Sequence, residues 1–290
     1  MNGLSFKEES FSYRLFPWFS RRYQKISMMY LHTPSFYITG YHRIMIVEMT
    51  LLITGFAFPS FMIQIVRKKM GKDGSMEIVK DIHAFIWKNA RANNANTYLI
   101  TGSKNMLIDP GHLDLFDHVL SGLARLKLTP GDIDVVLITH AHADHIEAAG
   151  LFRKPTLLAM SREALDFLQD HGGRKADGLE PDFFLGEGKL RIGEIDLDVI
   201  ATPGHSPGSL CFHWPDHGAL FTGDVIFSQS IGRTDLPGGS GRLLKESIQR
   251  LSALDVDCLL PGHGAPVMEQ KAVRENFRLV ADSWFSYLDE

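Results

Sequence analysis

The sequence predicts a mixed α/β fold in which two β-sheets pack face to face and helices cover their outer faces. Short apolar runs typical of strands fall into two groups, one within residues 78–160 and one within residues 183–260. Amphipathic helices are predicted beside each group, and no linker divides residues 76–290. Because each sheet has to bury its outer face against another layer, these residues are predicted to form one domain.

The elements of the first group follow from periodicity and turn chemistry. A helix is predicted over residues 113–126, where apolar residues recur on one face, and Ser161 is placed to cap a second helix that ends near residue 169. The Gly- and charge-rich residues 171–182 are predicted to be a loop. The predicted strands are 78–87, 97–101, 105–108, 133–138 and 156–160.

The second group has shorter strands, each bounded by Gly, Pro or Asp turns. Helices are predicted over residues 242–254 and 269–287, and a short one over residues 147–152 in the first group. The predicted strands are 183–185, 189–192, 195–201, 209–214, 219–222 and 257–260.

Residues 1–75 differ in composition and are predicted to be an N-terminal extension. They hold fourteen of the thirty aromatic residues, and residues 49–66 contain no charged residue, which makes them long enough for a membrane span. The basic flank that follows would leave the rest of the chain in the cytoplasm. Two alternatives stand beside an anchor: a poorly ordered appendage, or translation that begins at Met62, Met70 or Met76.

Charge and cysteine content exclude some classes of function. Residues 1–75 carry ten Lys and Arg against four Asp and Glu, whereas residues 76–290 carry twenty against thirty. The acidic main body argues against nucleic acid as a partner, since phosphate contacts need concentrated Lys and Arg. Cys211 and Cys258 lie in apolar runs and are predicted to be small buried side chains, which suits a reducing cytoplasm.

The run THAHADH at residues 139–145 is a candidate metal-binding motif. It follows a predicted buried strand and holds four side chains that bind metals: His140, His142, Asp144 and His145. Imidazole suits zinc and iron, and carboxylate oxygens suit harder ions. A strand that ends in such a turn points several donors at one place, which predicts a hydrolytic metal centre.

Three later turns repeat this arrangement. His205, Asp224 and His263 each follow a short apolar strand, in the runs PGHSPG, TGD and PGHG. Glycine permits unusual dihedral angles and close backbone approach, as a crowded metal site requires. Seven donors are too many for one tetrahedral ion.

These motifs resemble those of the metallo-β-lactamase superfamily, whose pattern is HxHxDH followed by single His, Asp and His residues. The resemblance covers about residues 76–290 and implies a four-layer αββα sandwich with two divalent metal ions, most simply zinc, with iron or manganese as alternatives. It implies one site on His140, His142 and His205, a second on Asp144, His145 and His263, and a bridging Asp224. A hydroxide between the two ions would be the nucleophile, and Asp144 would orient it or move a proton. Asp109 would support a ligand histidine, with a simple turn residue as the alternative.

The segment GRTD at residues 232–235 is similar to that of the glyoxalase II-like branch, which includes hydroxyacylglutathione hydrolases and persulfide dioxygenases. Arg233 and Asp235 are predicted to support the site by holding this loop, with contact to the substrate as the alternative. Only twenty-seven residues follow His263, so the chain is expected to resemble the short bacterial members. The implied activity is thioester hydrolysis. The alternatives are a persulfide dioxygenase, with one iron on His140, His205 and Asp224, and a non-catalytic scaffold.

No substrate-binding residue follows from the pattern, and neither does an oligomeric state. Lys271, Arg274 and Arg278 share one face of the last helix, where they would either meet substrate carboxylates or simply face solvent. Five further histidines are predicted to have packing or surface roles; these are His83, His112, His118, His213 and His217.

Overall fold

The computed structural model describes residues 75–171 and 179–288. The extension predicted over residues 1–75 lies outside the described residues except for Ser75, and so does its candidate span at residues 49–66. Within the described ranges, no helix is both long and apolar enough to cross a membrane.

The first sheet contains seven strands of the described chain in consecutive order. The first four strands are antiparallel, and the last four run parallel to one another. The strands are β1 Ser75–Val79, β2 Ile82–Phe85, β3 Thr97–Ile100, β4 Met106–Ile108, β5 Val135–Leu137, β6 Leu157–Ser161 and β7 Phe183–Leu185.

The second sheet contains six strands of the described residues, in the order β15-β14-β11-β10-β9-β8. Only its β11–β14 pair is parallel, and a separate two-stranded hairpin, β12–β13, follows β11. The strands are β8 Gly188–Ile192, β9 Ile195–Ala201, β10 Leu210–Trp214, β11 Ala219–Gly223, β12 Ile226–Phe227, β13 Ser230–Ile231, β14 Cys258–Pro261 and β15 Val267–Met268.

Three apolar clusters show that the layers are helix, sheet, sheet and helix. The central cluster joins the two sheets; in it the rings of Tyr98 and Phe221 meet edge to face at 5.4 Å. A second cluster packs helices onto the first sheet, and a third packs helices onto the second. The predicted αββα sandwich is therefore confirmed. The α-helices are α1 Asp117–Arg125, α2 Ala143–Ile146, α3 Arg162–His171, α4 Gly241–Leu251 and α5 Gln270–Trp284.

The strands differ from the sequence prediction in two places. The strand predicted over residues 78–87 is a hairpin of β1 and β2, in which Asp81 occupies the turn with φ of 67°. Aspartate tolerates this left-handed conformation, so the turn needs no glycine. The two-residue strands β12, β13 and β15 were not predicted, because segments so short leave no period to detect.

The strand directions bring the candidate ligands to one edge. Strands β4 and β5 are parallel, and so are β11 and β14. Strand β9 runs in the same direction as β11 because β10 is antiparallel to both. The carboxyl ends within each sheet therefore coincide, and each leads into a turn that carries a candidate side chain; these are Asp109, His140, His205, Asp224 and His263.

Candidate metal centre

The histidine turn begins just after β5 and continues into the helix α2. His142 is the last extended residue before α2, with φ of −69° and ψ of 145°. Asp144 and His145 lie in the four-residue helix itself and are buried. The short helix predicted over residues 147–152 is present as a 3₁₀ helix over residues 147–151. The helical turn of residues 143–146 that precedes it, which contains two of the donors, was predicted to be part of a loop.

Three imidazole nitrogens converge on one side of the cluster. His142 Nδ1 lies 3.1 Å from His140 Nε2 and 2.8 Å from His205 Nε2. Burial lowers the pKa of all three histidines: that of His140 falls well below its usual value, and that of His142 falls to about 4. Neutral imidazoles present lone pairs, so these nitrogens are suited to hold a metal cation.

A second trio consists of Asp144, His145 and His263. His263 Nε2 lies 3.2 Å from Asp144 Oδ2, and the candidate donor atoms of the trio lie within 4.8 Å of one another. Asp224 stands between the two trios. Its Oδ1 is 3.2 Å from His145 Nε2, and its Oδ2 is 3.3 Å from His263 Nε2 and 3.6 Å from His205 Nε2.

The second trio has the opposite electrostatic character to the first. Burial opposes protonation of His263, but hydrogen bonds to Asp144 and Asp224 outweigh it and raise the pKa to about 9. The pKa of His145 is likewise raised, against burial, by Asp224 and Asp109. Burial also disfavours the Asp144 carboxylate, yet His263 and His145 lower its pKa to about 2. The carboxylates of Asp144 and Asp224 therefore require positive charge close by, which either a proton or a metal cation supplies.

The orientation of buried polar atoms indicates that this cluster fits metal ions. His145 Nε2 and Asp224 Oδ1 are buried and have no hydrogen-bond partner among the residues that the structure describes, although they lie 3.2 Å apart. Leaving buried polar atoms unpaired is costly, and a shared cation would satisfy both. The nitrogen and carboxylate donors are also those of zinc and iron sites.

Asp109 connects the histidine turn to the preceding strand. Its Oδ2 lies 2.8 Å from His145 Nδ1 and accepts from Thr139 Oγ1 at 2.6 Å, while Oδ1 accepts from the Thr139 backbone N–H at 2.8 Å. Asp109 adopts φ of 52°, a conformation that is strained for a side chain other than glycine. It is held there by hydrogen bonds from its own N–H to the Leu137 carbonyl and from Thr97 Oγ1 to its carbonyl. The geometry thus places Asp109 where a carboxylate would orient His145.

The outer nitrogens of two more histidines are also engaged. His140 Nδ1 lies 3.0 Å from Thr139 Oγ1, and His205 Nδ1 lies 2.7 Å from the carbonyl oxygen of Arg233. Arg233 thus contacts a candidate ligand through its backbone. Its guanidinium pairs with Asp235 at 2.8 Å, and both side chains are mostly exposed. Arg233 and Asp235 were predicted to hold this loop, and their side chains pair with each other within it. The contact with His205 comes from the main chain, because the short hairpin β12–β13 returns residue 233 to His205.

We expect Asp109→Asn to weaken metal binding by about 10–100-fold, the usual cost of losing an outer partner of a ligand histidine. The asparagine keeps the shape and can still accept from the Thr139 N–H, but one of its two acceptor oxygens becomes a donor. Titration of purified protein with Zn²⁺ against a chelating dye measures the change. Asp132→Asn, which alters an exposed carboxylate that accepts hydrogen bonds from Thr129, is the control. Equal affinity of both variants and the parent would contradict this role.

Two asparagines of the run RANNANT, residues 91–97, complete the site and were missed from sequence. Asn93 Nδ2 donates to Asp144 Oδ2 at 2.6 Å. Asn96 Nδ2 donates to the carbonyls of Pro261 and Gly264, so it fixes the turn that carries His263. The sequence signal is three asparagines just before a strand, but asparagine is common in turns at such positions and does not by itself indicate a functional site.

Two cavities flank the cluster. One of about 350 Å³ lies beside His263 and is lined by Trp87, Lys88, Ala90, Ala92, Gly264 and the asparagines 89, 93, 94 and 96. The other, of about 440 Å³, lies beside His142 and is lined mainly by apolar side chains. We call them the His263 cavity and the His142 cavity.

The other candidates from sequence lie elsewhere. Arg274 pairs with Asp255, and Arg278 pairs with Glu275 and Asp282, so these cations occupy exposed ion pairs on or beside α5. Neither lines the His263 cavity or the His142 cavity. Cys211 and Cys258 are buried, and burial raises the pKa of each thiol to about 12, as expected for packing residues.

Comparison with known proteins agrees with the fold and with the candidate metal centre. The family model described as the metallo-beta-lactamase superfamily matches residues 90–263. A probable metallo-hydrolase of Methanocaldococcus jannaschii is 33% identical over 192 residues, which cover 61% of this chain and 90% of the relative. The crystal structure of TTHA1623 in a di-iron-bound form is 30% identical, with a TM-score of 0.53, over 63% of this chain and 93% of the other.

Two relatives with more specific names match over a shorter stretch. A hydroxyacylglutathione hydrolase of Cereibacter sphaeroides is 37% identical over 131 residues, 44% of this chain and 47% of the relative. The human mitochondrial persulfide dioxygenase ETHE1 is 35% identical over 128 residues, 43% of this chain and 46% of the relative. The fold, the convergence of the seven donors and the family match agree, and the chain belongs to the metallo-beta-lactamase superfamily.

Proposed function

We propose that this protein is a metal-dependent hydrolase of thioesters, similar to hydroxyacylglutathione hydrolase. The observation that carries the proposal is the convergence of seven donors into two trios joined by Asp224. A set of this size suits two ions, whereas a single tetrahedral ion needs four ligands. The relative from Methanocaldococcus jannaschii, matched over 90% of its length, is itself named a probable metallo-hydrolase.

The residues of each trio would hold one divalent ion, and Asp224 would contact both. Zinc is the first choice for this mixture of imidazole and carboxylate, with iron and manganese as alternatives. When bound, such ions supply a water that is acidic enough to act as a nucleophile at neutral pH and a positive charge that polarises a carbonyl oxygen.

The chain's own groups orient the reactants. The low pKa of Asp144 keeps this carboxylate ionised, so Oδ2 can accept a hydrogen bond from the nucleophile and orient it. Asn93 donates to the same oxygen and fixes its direction. A thiolate is a stable leaving group near neutral pH, so the breakdown of a thioester requires no dedicated proton donor. These features favour a thioester over an amide as the substrate.

We expect Asn93→Ala to lower kcat by about tenfold while leaving the amount of bound metal unchanged, a factor that corresponds to the net value of one charge-assisted hydrogen bond. The reason is that Asp144 keeps its carboxylate but loses the hydrogen bond that orients it. Metal content by mass spectrometry and steady-state hydrolysis of S-lactoylglutathione are the measurements. Asn105→Ala removes an exposed amide that donates to the Asp132 carbonyl, outside both cavities, and is expected to keep kcat. A variant that lost metal in proportion to rate would show that Asn93 serves metal binding instead.

A persulfide dioxygenase is the second candidate, favoured by the 35% identity to ETHE1. A single iron would then use His140, His205 and Asp224, a two-histidine, one-carboxylate set. A non-catalytic scaffold is the lesser alternative. It is disfavoured by the complete donor set, since a scaffold has no need to keep seven converging ligands.

Metal analysis combined with two assays separates these functions. Protein loaded with zinc, iron or manganese is tested for S-lactoylglutathione hydrolysis and for oxygen uptake with glutathione persulfide. Two metal ions per chain and rapid thioester hydrolysis are expected. One tightly bound iron with oxygen consumption would replace the proposal with the dioxygenase, and metal-loaded protein inert in both assays would favour the scaffold.

A further inference from the structure

We propose that the His142 cavity binds an apolar arm of the substrate, on either its acyl or its thiol side, so that thioesters carrying a hydrocarbon group are hydrolysed faster than those without one. This inference rests on the proposed function for its substrate class. The binding of a hydrocarbon group in the cavity can be tested without it.

The cavity lies directly beside the first trio. One wall is formed by the histidine turn and α2, through Ala141, His142, Ala143 and Ile146. The Nδ1 atom of His142 faces His140 and His205 at 3.1 Å and 2.8 Å, while its ring lines the cavity. A group in the cavity is therefore adjacent to the place where the substrate carbonyl has to lie.

The remaining walls are apolar. Phe167 and Leu168 of α3 face Leu236 and Pro237 of the loop after β13. One polar lining atom is already engaged: His171 Nδ1 lies 3.2 Å from the Phe167 carbonyl, and the His171 ring stacks on Phe167 at 4.5 Å between centroids. The described lining contains no Asp, Glu, Lys or Arg. A volume of about 440 Å³ is within the usual range for small-molecule sites.

The wall formed by Leu236 and Pro237 is tied to the site and is preformed. The loop begins at Arg233, whose carbonyl lies 2.7 Å from His205 Nδ1. It ends at Gly238, with φ of 78°, where an added Cβ would lie 2.5 Å from Pro207 and 3.0 Å from Phe167. This close packing joins the loop to both the His205 turn and α3, so binding does not have to pay for ordering the wall.

The two cavities are chemically different, which suits an asymmetric substrate. The His263 cavity presents Lys88 and several asparagine amides, and these would bind a polar or anionic arm. The His142 cavity presents hydrocarbon surface. A thioester that spans the cluster would place its carbonyl between the two.

Two matched series test the inference and distinguish the source of the apolar arm. The first varies the acyl group of S-acylglutathione from acetyl to octanoyl, and the second varies the thiol of acetyl thioesters from ethyl to octyl. In one of the series kcat/KM is expected to rise by about fourfold per methylene until the cavity is full, the rate equivalent of burying one CH₂. Leu236→Asp and Phe167→Ser should flatten that series, whereas Leu113→Asp, at an exposed leucine outside the cavity, should not. Rates independent of chain length in both series would overturn the inference.

Calorimetry supplies a readout that does not depend on turnover. Hexanamide should bind the metal-loaded protein at least tenfold more tightly than acetamide, and Leu236→Asp should remove the difference. If this preference is present but no thioester is hydrolysed, the proposed function fails and the apolar site stands. Equal affinity for the two amides would overturn the apolar site even in an active thioesterase.

Discussion

The variant Asp224→Ala should lose both metal and hydrolytic rate, with kcat/KM falling by roughly 10³-fold or more. Asp224 is the residue that contacts both trios, through His145 on one oxygen and through His205 and His263 on the other. Its removal deletes a metal donor. It also deletes the carboxylate that does most to raise the pKa of His145. The loss of activity should exceed the 10–100-fold that is typical when a hydrogen-bond partner of a metal ligand is removed, because here a metal ligand itself is removed. Metal stoichiometry and thioester hydrolysis measured on the same samples check this.

Asp235→Ala is the matched control for Asp224→Ala. It removes an aspartate from the same stretch of chain, but this carboxylate is exposed and pairs with Arg233. Metal content and rate are expected to stay within a factor of two of the parent. Retention of full activity in Asp224→Ala would remove the two-metal mechanism, whatever the control does. His142→Ala tests the other trio in the same way and should also lose metal and rate together.

The second large effect is expected from Gly262→Ala, a change that adds one methyl group. An ideal Cβ at Gly262 would lie 2.4 Å from Asp224 Oδ1 and 2.7 Å from His145 Cε1. Both neighbours are packed side chains of the candidate centre, so they can yield only by moving from their positions as donors. We expect a loss of about 10²-fold in activity or more, as for other misplacements of about 1 Å at a reacting site.

Gly150→Ala provides the comparison, because nothing lies within 4 Å of its added Cβ. This variant should keep its metal and rate and should melt within a few degrees of the parent. Zinc affinity, rate and thermal unfolding of both variants separate a local effect from misfolding. A Gly262→Ala protein that folds and retains full activity would show that the turn can move without disturbing Asp224.

Much of the fold was predictable because its signals are local. The run 133–138 reads as a buried strand, and Val135–Leu137 forms β5 in the middle of the first sheet. Ser161 caps α3 as predicted, accepting a hydrogen bond from the Ala164 N–H at 3.0 Å. The prediction failed where local signals are weak. The turn at Asp81 lacks glycine and proline, and the strands of two residues carry no period.

The residue patterns alone determined the types of donor and their positions after strand ends, and they predicted more than one metal ion. The resemblance to a family added the division into two trios. Only the tertiary structure decided that Asn93 contacts Asp144, that Arg233 acts through its carbonyl, and that a polar and an apolar cavity flank the cluster. The physical reason is distance along the chain. The contact between Asn93 and Asp144 joins residues fifty-one positions apart, and His205 meets Arg233 across twenty-eight. Such contacts depend on the order of the strands and on the packing of the two sheets, which no local pattern of residues specifies.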